Sequence, residues 1–531
     1  MNSTIERRKG HANLSGLTRR DVLALTATGA VATATATAPY RALAAAPQGQ
    51  LIWGVHISLA PTWFDPAETP GLITPFMVLY ALHDAMVKPM PGQPLAPSLA
   101  ESVTASEDGL GYDFVLRNGV RFHNGDPVTA EDVKFSFERY RGASQDVMKA
   151  RIAAIETPDK RHVNFKLKTP WPDFLTFYGS ATGAGWIVPK KYVEKVGDDG
   201  FKKAPVGAGP YKFVSFTPGV ELVLEAFDEY WRKTPSVKRL VFKVIQEETT
   251  RLAALKRGEV DIVYSIRGEL AEELQRTPGL TLKPVDSPAT FWLYFPEQWN
   301  AKSPWHDPRV RLAASLAVDR PSINQALTLG LSKLTGNPIV PDFFDFYWQA
   351  PAPPYDPGKA GQLLAESGYP KGFDAGEYYC DSSYSNLAEA VADNLGAVGI
   401  RTKLRPLERA AFLEGYAKKS FKNIIQGGAG AFGNAATRLE ATAVKGGVYA
   451  YGSDPEIDRM FQEQAAVMDH ERRTAILQKM QQLLAERTIF APIWQLAFIN
   501  GVGPRVGESG FDLISGFAYT GPYEDITLKG V

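Results

Sequence analysis

Side chains alternate at period two along Gly111-Tyr112-Asp113-Phe114-Val115-Leu116, which predicts a strand over 111–116. Asn118-Gly119 follows as a hairpin signal, with a return strand expected over 120–123 before Asn124-Gly125-Asp126 turns the chain again. Thr129 then N-caps a helix with Glu131 and Asp132 in its first turn, and its apolar residues Val133, Phe135, Phe137 and Tyr140 face inward only in part. A second hairpin is predicted from 211–216 and 221–226 around Thr217-Pro218-Gly219. A strand over 239–246, a helix over 249–257 closed by Gly258 and a strand over 260–264 come next. Asp-Pro pairs at 307, 356 and 454 open helices over 309–318, 358–367 and 456–468. Asp469 caps 470–487, where Ile476, Leu477, Met480, Leu483 and Leu484 make one apolar face. The apolar run 489–504 is interrupted by Pro492, Gln495, Asn500 and two glycines, so it reads as two strands of a buried sheet, 493–499 and its continuation. Short strands with interspersed helices and no internal repeat predict an α/β or α+β protein.

The first 46 residues break this pattern. Arg7, Arg8 and Lys9 precede Thr18-Arg19-Arg20-Asp21-Val22-Leu23, and residues 22–38 hold no charge. Twelve of those 17 residues are Ala or Thr, which is weakly apolar and short for a bilayer span. Ala42-Leu43-Ala44 supplies a small-x-small cleavage site. The segment resembles a twin-arginine export signal, with Val22 where Phe is usual, and that resemblance implies removal of residues 1–44 and a periplasmic location. No later uncharged run reaches the roughly 18 residues a membrane helix needs.

Composition changes the picture in three ways. A length of 531 residues with 44% apolar side chains suits about three domains with real cores. The 58 basic and 58 acidic side chains balance, and without residues 1–44 the chain carries 52 and 56, a net charge of −4. Nothing in that balance offers a basic footprint for nucleic acid. Cys380 is the one cysteine, so no intrachain disulfide, Cys-x-x-Cys redox pair or multi-cysteine zinc site is available. Gly-x-Ser-x-Gly, Ser-x-x-Lys, His-Glu-x-x-His and Walker-type loops are all missing from the sequence.

Residues 99–140 read LAESVTASEDGLGYDFVLRNGVRFHNGDPVTAEDVKFSFERY. This stretch resembles the signature of extracytoplasmic solute-binding proteins of family 5, the peptide/nickel/opine class that serves ABC importers. The resemblance continues through Pro205-Val206-Gly207-Ala208-Gly209-Pro210-Tyr211, AALKRGEVDI at 253–262, DPRVRLAASLAVD at 307–319 and PPYDPGKAGQLLAESGY at 353–369. It implies an α/β two-lobed periplasmic binding protein of type II, large cluster C-like, with an extra domain inserted in lobe one. Lobe one would comprise 45–85, 205–288 and 489–531, the inserted domain 86–204, and lobe two 289–488. The family reading further implies a monomeric, non-enzymatic receptor without cofactor. It would capture a peptide or peptide-like solute, anionic or opine-like among the options, and deliver it to permease subunits. Two alternatives stand beside it: a secreted hydrolase acting through a carboxylate pair, and a metal-chelate or nickel-binding receptor. Against the metal, His56, His83, His162, His306 and His470 show no ligand spacing, and His123 sits in the structural FH-x-G motif.

Gly428-Ala429-Gly430-Ala431-Phe432-Gly433 matches a dinucleotide fingerprint in letters, but it falls late in the chain and reads better as backbone that approaches a ligand closely. Peptide-binding members place an acidic residue here for the peptide ammonium, whereas 426–438 contains no Asp or Glu. Arg438 offers a fork for a carboxylate or phosphate, with a surface pair to Glu440 as the plainer role. The resemblance brings Trp53, Trp63, Phe64, Trp186, Trp292, Tyr294, Phe432, Tyr449, Tyr451 and Trp494 to the cleft, and of these Trp63, Phe64, Trp292, Tyr294, Phe432, Tyr449 and Trp494, together with Gly430 and Arg438, are the expected ligand contacts. The core is the plainer place for any one of those aromatics.

Overall fold

The computed structural model describes residues 46–68, 75–142, 144–430, 433–517 and 521–530. The expected signal segment therefore lies outside the described residues. Among those described, no helix is long and apolar enough to cross a membrane.

Ten strands form one mixed sheet. From one edge to the other its order is Tyr211–Thr217, Glu221–Ala226, Val237–Val244, Gln48–Val55, Ile262–Val263, Phe490–Val502, Thr281–Tyr294, Ile424–Ala429, Phe373–Asp381 and Ile400–Leu407. Gln48–Val55 runs parallel to Val237–Val244 and Ile262–Val263 in the first half, and Phe373–Asp381 runs parallel to Ile400–Leu407 and Ile424–Ala429 in the second. Each half packs helices over cores of its own. The first half holds two, around Trp53, Phe76, Phe242 and Tyr523 and around Leu252, Val263 and Leu274, and the second half holds two, around Trp305 with Tyr378 and around Trp292 with Phe490.

The halves are joined by the two longest strands, Thr281–Tyr294 and Phe490–Val502, which lie antiparallel through both. Asp286 pairs with Ala497 and Thr290 with Gln495, so Ser287, Pro288 and Ala289 stand opposite Leu496 alone. Such a bulge bends and twists its strand. Residues 489–504 were expected as two strands and form one, because this long-range partner continues the ladder past Pro492.

A separate antiparallel sheet of Ala100–Ala105, Gly111–Leu116, His162–Leu167 and Ile152–Glu156 carries a further core between Met86 and Ala208. The chain enters and leaves this body side by side, Asp84 pairing with Ile187 and Ala85 with Trp186. Buried Asp84 ties the neck together. Its carboxylate accepts from Ser98 Oγ at 2.6 Å, Trp231 Nε1 at 2.6 Å and Tyr230 OH at 3.0 Å, and pairs with Lys88 Nζ at 2.8 Å. The Asn118-Gly119 hairpin does not form: Gly111–Leu116 pairs with Ala100–Ala105 and His162–Leu167, and 120–123 turns back on 126–128 through the Arg121–Pro127 bridge, while His123 N–H donates to the Gly207 carbonyl at 2.8 Å. The competing attraction is His123. Its Nε2 lies 2.9 Å from the Gly209 carbonyl and its Nδ1 accepts from Gly207 N–H at 3.2 Å. Gly207 itself has no room for a side chain, since a Cβ would sit 1.9 Å from the Leu82 carbonyl oxygen.

Candidate functional site

The parallel strands of the two halves end at Val55, Val244 and Val263 and at Asp381, Leu407 and Ala429. Ligands of open α/β sheets bind at such carboxyl ends. The two sets of loops meet: Arg267, which follows Ile262–Val263, donates through Nη1 to the Ser383 carbonyl of the other half at 3.4 Å. A cavity of about 380 Å³ opens there, lined by Glu248, Arg267, Gly268, Glu269 and Leu270 from one side and Leu327 and Asn386 from the other. His56, just beyond Val55, is held neutral; burial pulls it down to about 4, and the charges of Arg251 and Arg267 push the same way.

In the second half, Gly427 and Gly428 are strand residues, not a phosphate loop. They lie in Ile424–Ala429, opposite Trp292 and Phe291. A Cβ on Gly427 would meet Trp292 Nε1 at 2.3 Å, so the indole covers bare backbone. Gly430 leaves the strand half-buried, and Phe432 lies outside the described residues. Asn434 then caps helix Ala435–Thr442, its side chain accepting from Thr437 N–H. That helix turns Arg438 inward, where it is 3% exposed. Its Nη2 donates to the Pro288 carbonyl at 2.8 Å, and its Nη1 to the carbonyls of Ala429 at 2.8 Å and Ile339 at 3.3 Å. The fork expected to hold a ligand anion grips main-chain oxygens at the bulge. It does not pair with Glu440 either, which faces Arg151 at 3.7 Å.

The aromatic candidates are distributed over three cores, not gathered into one wall. Phe64 is fully buried, edge-on to Phe216 at 5.0 Å. Half-buried Trp63 packs against the same core. Trp292 and Tyr294 lie beside Phe490, and the Tyr294 hydroxyl accepts from Trp299 Nε1 at 3.2 Å and Tyr451 N–H at 3.1 Å. Trp494 belongs to the neighbouring core, and half-buried Tyr449 rests on Tyr416 at 4.9 Å.

One contact across the molecule was not legible in the sequence. Asp173, which follows the last strand of the four-stranded sheet in the chain, accepts from Asn434 Nδ2 at 2.6 Å and from Arg473 Nη2 at 2.8 Å. These residues are separated by 261 and 300 positions, so no local spacing could have paired them. Among the described residues, no group of three His, Cys, Asp or Glu side chains is arranged to hold a metal ion.

Residues 94–449 match the family model described as "Bacterial extracellular solute-binding proteins, family 5 Middle". The chain is 25% identical over 467 residues to heme-binding protein A of Haemophilus influenzae, covering 80% of this chain and 84% of that one. It is 26% identical over 485 residues to a Pseudomonas aeruginosa protein named "Probable di/tripeptide-binding protein 5", covering 85% and 91%. Among solved structures it is similar to the periplasmic binding protein AgaA of A. tumefaciens R10 in complex with agropinic acid. The TM-score is 0.72 and the identity 26%, over 91% of this chain and 99% of that one.

Proposed function

The chain belongs to the bacterial extracellular solute-binding proteins of family 5, and from that premise we propose the solute, the contacts and the export route of this member. It is the periplasmic substrate-binding component of an ABC importer, holding its solute between two lobes and handing it to the permease. The observation behind this reading is the family match over residues 94–449, together with a sheet that continues through both halves on two crossing strands. Closure about such strands is a hinge motion whose driving force is the ligand's preference for the closed form.

The solute proposed is a peptide or peptide-like compound, opine-like compounds included. Relatives named for a di/tripeptide and for agropinic acid support that class. Arg438 is no longer the anchor favoured for an anionic group, given its bonds to carbonyls. Trp63, Gly430 and Tyr449, the half-buried candidates, are the ones proposed to meet ligand, with Arg267 at the cleft. The lobe boundaries proposed are 45–85, 205–288 and 489–531 for lobe one, 86–204 for the insert and 289–488 for lobe two. Export through a twin-arginine signal in residues 1–44 completes the proposal, and the bound solute is released chemically unchanged.

Thermal melting of the purified protein with di- to pentapeptides, opines and heme in separate arms tests the class. A ligand at a hundredfold excess over its Kd adds about 2.7 kcal/mol to stability, so a rise in Tm with a peptide or opine arm is expected. A rise with heme alone would replace the proposed class. Recovery of cleaved peptide would instead revive the hydrolase.

A further inference from the structure

We propose that Asp173 is the closing residue of the cleft. Through one carboxylate it latches the 86–204 body to the second half of the sheet, at the residue that follows the glycine-rich segment. Asp173, Asn434 and Arg473 are 8%, 4% and 4% exposed, so the contact is shielded from water. Both carboxylate oxygens are used across the junction, Oδ1 by Asn434 and Oδ2 by Arg473.

The partners are fixed from their own side. Arg473 also donates to Gln464 Oε1 at 2.7 Å and lies 4.8 Å from the Phe346 ring centroid, and Asn434 is locked by its capping box with Thr437. They present a ready-made seat, and the carboxylate arrives with the other body. Flanking contacts are looser: Arg151 meets Glu440 at 3.7 Å, and Gly109 lies against Met468. The two bodies touch here without sharing a sheet, so the contact is one that hinge opening would break.

Removing the acid changes the two forms unequally. In the closed form Arg473 would remain buried beside a neutral group, whereas in the open form it would meet water. The latch therefore favours closure only with a carboxylate at position 173. Asn434 lies four residues beyond Gly430, so the closed latch brings the 86–204 body beside the backbone proposed to meet ligand. The 86–204 body thereby acts as a positioning element for capture. This proposal takes its meaning from the two-lobed binding reading, but its test needs no ligand, so either can fail without the other.

Dyes on Lys160→Cys and Lys422→Cys, one on each body, report opening by single-molecule energy transfer in dialysed, ligand-free protein. Asp173→Asn is expected to raise the open-to-closed ratio by about tenfold or more. Asn434→Asp keeps an equally good N-cap but sets two carboxylates face to face, and it should open the molecule as well. The charge-reversed pair Asp173→Arg with Arg473→Asp should close it again. An unchanged ratio in either single variant overturns the latch, since both act on one carboxylate. So does a lowered Tm without opening, which marks a merely structural contact.

Discussion

Replacing Arg438 with Met separates a structural role from a ligand-binding one. The guanidinium is buried, and burial pulls its pKa down to about 9. It stays charged at neutral pH because its donors reach carbonyls, two of them at 2.8 Å and one at 3.3 Å. Bonds to a charged group contribute about 1.5–3 kcal/mol each, and Met recovers part of the loss by filling the same space with an apolar stem. The two short bonds then set a net loss of about 2–4 kcal/mol, with the carbonyls of Pro288 and Ala429 left short of a donor. Urea unfolding at pH 7.5 reads this as a fall in midpoint at unchanged slope. Arg438→Lys should recover only part, because one ammonium cannot reproduce the fork. A midpoint unchanged in Arg438→Met, accompanied by loss of binding for carboxylate-bearing compounds only, would refute the structural role and return the fork to the ligand.

Buried histidines should make the protein acid-sensitive. Burial pulls His83 down to about 4 and His123 to about 3, both below their ordinary 6.5. The unfolded chain thus binds more protons, so stability is complete above about pH 6.5 and declines as pH falls toward 4. Urea midpoints equal at pH 7.5 and pH 5 would contradict this. Asp84→Ala should destabilise the neck below the four-stranded sheet by about 3–5 kcal/mol, since it leaves buried Lys88 without its carboxylate; limited proteolysis should then cut that body first, and unaltered digestion would count against it. Cys380 is buried and its thiol is pushed up to about 12. It should ignore a disulfide reagent until urea unfolds the chain, and labelling of the native protein would show otherwise.

What could be read from the sequence was what short-range chemistry decides. Thr129 forms a capping box with Asp132, and Asp307, Asp356, Asp454 and Asp469 each cap the helix their spacing predicted. The 211–226 hairpin likewise needs only its own turn. Two errors have one physical origin. The return strand at 120–123 lost to bonds between His123 and Gly207 and Gly209, more than 80 residues away, and 490–502 became one strand because 281–294 runs beside it. Chemistry followed the same rule. An arginine beside a glycine-rich segment invites an anion, but the direction of Arg438 is set by the bulge at Pro288, which no local pattern reveals.

The helix Ala435–Thr442 ties these features into one mechanical unit. Its N-cap, Asn434, reaches Asp173 on the other body, and its fourth residue, Arg438, clamps Pro288 at the bulge and Ala429 at the end of the glycine-bearing strand. The backbone proposed to meet ligand, the crossing point and the latch are therefore fixed to one short, buried helix. Substitutions within it should alter capture of every ligand alike, because they move the seat and the hinge together. Selectivity among ligands has to come from side chains free to vary without moving that helix. The half-buried Trp63 and Tyr449 and the exposed Arg267 satisfy this condition, and buried Phe64, Trp292, Tyr294 and Trp494 do not.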